Sequence, residues 1–390
     1  MSDAITAVAV PVSAPTLTIG LDVGDRYSHA CVVDSTRKVL EEFRVPTDRA
    51  GLSKKFTRPG CQIILEVGPH SRWMQKSLEE LGHRVRVVDA RKVELIAKGT
   101  MKTDRRDAHV LALLGADMPE LLGDVKHRSE QAQADLGVLL TRDHFIDLRT
   151  ATINRVRGVL KSFGIKVARM STKAFHARVG ELVPAHLQPA LVPLLEELGT
   201  IHLRIKGLDD TIQREIAPRY PAIERLKQVD GVGTLTALAY ALSIGDPNRF
   251  KKSRDIGPFV GLCPRKHSSG QSDPQLSITR AGNPFLRRIL VQSAQYALGP
   301  FGPDCELRRH GQKLVLRGGK CAKKRAVVAV ARKLAVLLHR LWVDTTPYDP
   351  WYQHKRREVM PDLDPKATRS PKAARSPKAT RKKPKAAAMA

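Results

Sequence analysis

Between Thr16 and Pro46 the chain alternates β-branched and polar residues three times over, as TLTIGLDVG, SHACVVD and KVLEEFRVP, with short polar turns between. Alternation with a period of two reads as three consecutive antiparallel strands. CQIILEVG (61–68) is more continuously apolar and predicts a fourth strand, and HRVRVVD (83–89) a fifth. SRWMQKSLEELG, between them, reads as a helix ending on Gly82. A strand, helix, strand crossover makes a parallel pair. Meander plus crossover therefore predicts a mixed five-stranded sheet in an α/β layer, with the next helix beginning near Thr103.

At 390 residues the chain is too long for one minimal core. The pattern changes over 127–220, where Leu139, Ile146, Ile153 and Leu160 recur every seventh residue. Leu191, Leu198, Ile205 and Ile212 do so again, interleaved with Leu194, Ile201 and Leu208. Such heptads predict a projecting coiled coil, folded back as an antiparallel hairpin or paired with another copy; ordinary amphipathic helices are the alternative. Residues 221–350 read as a mostly helical domain, opened by a glycine turn at 231–233 and closed by KKRAVVAVARKLAVLLHRLW. The expected divisions are a flexible tail (1–16), an α/β domain (17–126), a helical domain (127–220), a C-terminal domain (221–350) and a basic disordered tail (351–390).

Charge narrows the function. Lys and Arg number 67 against 39 Asp and Glu, a formal net charge of +28. A surplus of that size points to a polyanion, since phosphate backbones release counterions on binding such a surface. Nine of the basic residues fall in 365–390 with no acid among them, so the rest of the chain is basic as well. The repeated RSPKA units there cannot build a core and predict an arm lying along DNA or RNA. Five scattered cysteines without a C-x-x-C pair disfavour a disulfide scaffold and a zinc knuckle. No apolar run reaches the ~18 residues needed to cross a bilayer. The first residues lack a basic start and carry Pro11 and Pro15, so a cytoplasmic, nucleoid-associated protein is expected.

Four acids stand out. Asp22 ends a strand in IGLDVG, Glu66 ends another in IILEVG, and Asp104 and Asp107 lie three apart in KTDRRDAHVLALL. An acid at the tail of an apolar strand is costly if buried alone, so it faces a cleft or an ion. Positions i and i+3 share a helical face, which aims Asp104 and Asp107 the same way. Mg²⁺ suits such hard oxygen ligands, Mn²⁺ fits as well, and a metal pair stabilises both oxygens of a phosphodiester exchange. Solvated helix charges paired by Lys102, Arg105 and Arg106 are the alternative for Asp104 and Asp107.

In that order and spacing the acids resemble the RNase-H-like (RuvC-like) nucleases of the Holliday-junction resolvase type. IGLDVG, ILEVG and KTDRRDA are more closely similar to the DEDD-type transposases of bacterial insertion sequences, the group related to the Piv invertases and guided by bridge RNA. The resemblance implies an RNase-H-like N-terminal domain with Asp22, Glu66, Asp104 and Asp107 as catalytic metal ligands.

Two further segments carry basic or phosphate-seeking patterns. VDGVGTLTA (229–237) sets Gly231 and Gly233 before a helix that Thr234 is placed to cap, similar to a helix-hairpin-helix turn gripping nucleic-acid backbone. GLCPRKHSSGQSDPQLSITRAGNPFLRRIL (261–290) gathers Arg265, Lys266, His267, Ser268, Ser269, Arg280, Arg287 and Arg288 around a loop. On its residues alone, Ser before Gly reads as a turn. This segment and TPYDP (346–350) also resemble the C-terminal domain of the same transposases, which implies a serine that links covalently to DNA. Ser269 fits that position best and Ser268 is its neighbour; Arg265, Lys266, Arg280, Arg287 and Arg288 are expected on nucleic acid, with Arg287 and Arg288 alternatively only helix surface.

The expectation is an insertion-sequence recombinase acting on donor and target DNA, with a noncoding bridge RNA and a homodimer or homotetramer to complete a composite site. A metal-only junction nuclease and a non-enzymatic basic nucleic-acid-binding protein are the alternatives.

Overall fold

The computed structural model describes residues 17–90, 93, 103–269, 272, 274 and 276–352. The leading segment expected to be flexible and residues 353–390 of the expected basic arm lie outside the described residues. The chain divides into two compact units, Met1–Arg128 and Ser129–Ala390.

The first unit is built on the expected mixed sheet. Its strands are β1 (Leu17–Asp22), β2 (Tyr27–Asp34), β3 (Val39–Pro46), β4 (Gln62–Glu66) and β5 (Arg84–Val88). They lie in the order β3-β2-β1-β4-β5. The meander pairs antiparallel, while β1, β4 and β5 run parallel. Helix α1 (Arg49–Lys55) and helix α2 (Ser71–Glu80) supply Leu52, Met74 and Leu78 to one sheet face, against Ile19, Leu21, Val32, Val45, Ile63 and Leu65. Each such side chain, fully buried, contributes about 1.5–3 kcal/mol. Helix α3 (Asp104–Asp117) covers the other face, packing Ala108, Leu111 and Ala112 on Cys31, Val33, Ile64 and Val88.

The fit of α3 to the sheet depends on Gly20. A Cβ there would lie 2.0 Å from the Ala108 carbonyl oxygen and 2.3 Å from the Ala112 nitrogen. Gly115, a turn later, sits over Ile64 and Thr18. As β1 advances from 18 to 20 its contacts on α3 therefore move back from 115 towards 108. The helix runs antiparallel to β1, and its first turn arrives over the strand's C-terminal end.

In the second unit, α4 (Glu130–Ser162) and α5 (Gln188–Thr211) form an antiparallel pair. Ile153, Val156 and Leu160 share a core with Leu191, Leu195 and Leu198, and at the other end Arg142 pairs with Asp209. Of the heptad positions, Leu139, Ile153, Leu160, Leu191, Leu198, Ile205 and Ile212 are buried, and Ile146 is half-buried. The C-terminal helices are α6 (Thr234–Ile244), α7 (Pro284–Leu298), α8 (Glu306–Leu316) and α9 (Ala322–Asp344). They enclose Tyr240, Leu286, Ile289, Leu290, Val330, Leu334 and Leu338, and the same core takes in Leu136, Leu139 and Ile212. Among the described residues no helix is long and apolar enough to cross a membrane.

Candidate active site

Asp22 and Glu66 end adjacent parallel strands. The last registered pair of β1 and β4 is Leu21 with Leu65, and each acid is the next residue along. Strand side chains alternate between faces. Gly20 touches α3, so Asp22, two residues on, faces the same side; Ile64 lies against Gly115 of α3, so Glu66 does too.

Asp104 and Asp107 occupy the first turn of α3, whose amides Thr103 caps by accepting from the Arg106 N–H at 3.3 Å. A helix start also favours negative charge. Asp104 lies a turn before Ala108 and reaches the sheet through His29, whose Nδ1 is 3.7 Å from its carboxylate. His29 is itself the cross-strand partner of Asp22. The two loops that follow the acid-bearing strands are tied as well: His70 and Asp25 meet at 3.0 Å, and the Trp73 indole donates to the other ring nitrogen of His70 at 3.1 Å.

Asp22 and Glu66 thus face the side that α3 covers, and Asp104 and Asp107 stand in the helical turn that begins over that edge. Asp22, Glu66 and Asp107 are half-buried and Asp104 is exposed. Among the described residues, no three His, Cys, Asp or Glu side chains already stand in a group able to hold a metal. The donor set is all carboxylate oxygen, and that ligand chemistry matches a hard divalent cation.

The second unit holds the other expected site residues. The described residues between 261 and 280 pair as a narrow antiparallel hairpin. Its stem is laced by the Thr279 N–H to Cys263, the Arg265 N–H to Ser277 and the Arg280 N–H to Gly261, each donating to a carbonyl, with a bridge between Pro264 and Ile278. Ser269 pairs with Ser272 at its tip through two backbone hydrogen bonds of 3.1 and 2.9 Å. Arg265, Lys266, His267, Ser268, Ser269 and Arg280 are all exposed, and Arg280 adopts a positive φ of 57°.

Arg287 and Arg288 emerge from the first turns of α7 with different partners. Arg287 donates through Nη1 to the carbonyls of Val260 at 3.1 Å and Ala281 at 2.9 Å, one on each side of the hairpin's neck. Burial and neighbouring Arg280 pull its pKa below the ordinary arginine value. Arg288 pairs with Asp143 and Asp147 of α4.

At the glycine turn, Gly231 has φ 82°, and a side chain there would meet the Tyr296 ring at 2.8 Å. The expectation that Thr234 caps α6 is corrected. Gly233 takes the cap position with extended backbone and no side-chain bond, so Thr234 is already the first helical residue. Gly231, Gly233, Thr236, Lys227, Gln292 and Tyr296 line an open hollow of about 520 Å³.

Residues 19–165 match the DEDD transposase model of insertion element IS110, and residues 223–306 match the Transposase IS116/IS110/IS902 family. A probable family 20 transposase of Pseudomonas aeruginosa is 30% identical over 85% of this chain and 98% of its own length. The chain belongs to this family of insertion-sequence transposases. The transposase for insertion sequence element IS1111A of Coxiella burnetii is 27% identical, over 83% of this transposase and 88% of that one. The pilin gene-inverting protein of Moraxella bovis is 28% identical over 32% of this transposase and 38% of its own chain. The first matched region includes all four acids, and the second includes the glycine turn and the 261–280 segment.

Sequence reasoning did not single out His29 or His70. Each stands in an ordinary-looking position, and only strand register brings them beside Asp22 and Asp104, or across to Asp25.

Proposed function

We propose that this transposase moves its insertion sequence through a metal-dependent, serine-mediated strand exchange. The reading rests chiefly on one observation: Asp22 and Glu66 end neighbouring parallel strands on the face where α3 begins with Asp104 and Asp107. These four carboxylates, on an RNase-H-like frame, would hold Mg²⁺, with Mn²⁺ an acceptable substitute. When bound, the cation supplies charge stabilisation for the phosphate oxygens.

The chain's own groups do the remainder. The Ser269 hydroxyl oxygen attacks a DNA phosphorus: an Oγ–P bond forms, the bond from phosphorus to the departing deoxyribose oxygen breaks, and the serine proton passes through solvent to that oxygen. The phosphoserine linkage keeps the ester energy for rejoining to a second strand. Arg265, Lys266 and Arg280, exposed along the same hairpin, offset the charge that builds on the phosphate. Gly231, Gly233 and the uncapped amides of Thr234 and its neighbours are suited to a phosphate of the flanking backbone. The surplus of positive charge supports a structured noncoding RNA as the guide, held together with donor and target DNA in a homodimer or homotetramer.

The test is covalent trapping. Wild-type protein with Mg²⁺ and DNA carrying the element's ends should give a detergent-stable protein–DNA adduct whose phosphopeptide contains Ser269. Ser269→Ala should lose the adduct and Ser268→Ala should keep it. Asp22→Asn and Glu66→Gln should each lower adduct formation at least 10²-fold while still binding DNA. Cleavage and rejoining at normal rate by Ser269→Ala would favour a metal-only nuclease instead.

A further inference from the structure

Strand register extends the acid edge beyond the acids. Asp22 pairs with His29, and His29 pairs in turn with Arg44 of β3. Paired residues of neighbouring strands share a face. From β4 to β3, therefore, Glu66, Asp22, His29 and Arg44 form one row on the side that α3 covers. The row before it confirms the facing: Cys31 pairs with Glu42, Cys31 packs under Ala108, and Glu42 is bonded to Arg105 of α3. The row carries two acids at one end and a permanent cation at the other.

Among the described residues no acid pairs with Arg44; its guanidinium carbon stands 3.8 Å from the centroid of the Tyr27 ring. Tyr27, two residues before His29, lies on the same face and is 44% exposed. Stacking of this kind holds a guanidinium in place without using its N–H donors. What remains is a fixed, solvent-facing phosphate fork on an aromatic plate, in line with the carboxylates. Two strand spacings separate Asp22 from Arg44, about 10 Å. That is about three nucleotides of a helical strand at ~3.4 Å each.

We propose that Tyr27 and Arg44 form a nucleotide subsite for the DNA strand being cut, with a backbone phosphate on Arg44 and a base stacked against the Tyr27–Arg44 pair, up to three nucleotides from the phosphate at the acid edge. The proposal rests on the reading of that edge as the site of DNA cleavage. The arrangement sets where along the strand the acids act, because a strand seated on the plate can slide only by breaking the stack.

The experiment uses the full chain and a single-stranded oligodeoxynucleotide from the element's end, with the matching oligoribonucleotide as a second arm. Arg44→Gln should reduce the slope of log affinity against log salt by about one, the signature of one lost phosphate contact. Tyr27→Leu should weaken binding on the order of tenfold, and Tyr27→Phe should bind as wild type. 5-Iododeoxyuridine placed at successive positions should photocrosslink to Tyr27 only within three nucleotides of the cut phosphate. Unchanged slope and affinity in Arg44→Gln and Tyr27→Leu would overturn the subsite, as would effects confined to the RNA arm or crosslinks elsewhere. Should Tyr27→Leu fail to fold, Arg44→Gln and the crosslink on wild-type protein decide alone. The acid edge is tested separately by Asp22→Asn: normal cleavage there sinks the reading of the edge and, with it, the placing of the subsite beside the cut, whereas lost cleavage with an intact Tyr27 crosslink supports both.

Discussion

Gly20 of β1 and Ala108 of α3 meet backbone to backbone, with no room for a methyl group between the strand and the helix's carbonyl oxygen. That approach sets the height of α3 above the sheet, and with it the position of Asp104 and Asp107 over the end of β1. Gly20→Ala should force the helix outward, destabilising the protein by about 1–3 kcal/mol as overpacked cores do. Adduct formation should fall by more than the lost stability explains. Gly137→Ala in α4, where a Cβ meets nothing, should instead stabilise by up to about 1 kcal/mol. Urea unfolding of the two variants measures both.

Arg287 spans the neck of the Ser269 hairpin, holding the carbonyls before and after it. On the proposed serine chemistry, Arg287→Met should keep DNA affinity close to wild type and lower the single-turnover rate of adduct formation by on the order of 10²-fold, the effect of a nucleophile displaced by about 1 Å. Arg287→Lys should recover part of that rate. Arg280→Gln, on the exposed stem, should show the opposite split, with weaker binding and a normal rate at saturating DNA. Parallel affinity and quench-flow measurements separate the two behaviours.

Asp135 of α4 is nearly inaccessible and accepts hydrogen bonds from Gln131, Arg219 and the Tyr220 hydroxyl, at 2.9, 2.7 and 2.7 Å. Burial, with the nearby carboxylate, pushes the Tyr220 phenol up to about 12. Asp135→Ala leaves the Tyr220 phenol without its acceptor and frees the exposed Arg219 to solvent, and should cost about 1–3 kcal/mol of stability. Tyr220→Phe, which leaves the ion pair whole, should cost about 1 kcal/mol. Chemical denaturation of both variants checks the ranking.

His127 is half-buried, with Nε2 3.2 Å from the Ser71 hydroxyl. Burial, then Arg72 and Arg128, hold its pKa below the ordinary 6.5. The unfolded chain therefore takes up this proton first as pH falls through about 6.5, and the folded state loses stability below that point until His127 itself protonates. His127→Gln should flatten this part of the stability profile between pH 7.5 and 5.5, measured as the difference in urea midpoint from wild type.

The alternating segments of the N-terminal third carried enough information to place the strands, because each buries one face and a shifted register would expose its apolar residues. The start of α3 was legible in Thr103 and the acids that follow it. α1 was not, since Arg49–Lys55 is only two turns long and its signal is a lone cap, Asp48, accepting from the Gly51 N–H. The Ser269 hairpin was hidden for a different reason. It is held by backbone bonds among polar, exposed residues, so no apolar alternation announces it. The acids could be picked out by their strand-end contexts, but their shared face followed only from the contacts of Gly20 and Ile64 with α3. Arg287 and Arg288 looked like a basic pair on one helix, yet one closes a neck and the other reaches Asp143 and Asp147.

The long helices of the second unit share one core through Ile153, Leu160, Leu191 and Leu198 of their seven-residue stripes, while Leu139 and Ile212 enter the C-terminal core. A stripe already used in this way is not available to recruit another subunit. Self-association through these helices would fall to their outward sides, where Leu140, Leu148 and Leu203 meet solvent. Conservative repacking of the inner stripe should then alter the stability of the helix pair and leave any self-association of the chain unchanged.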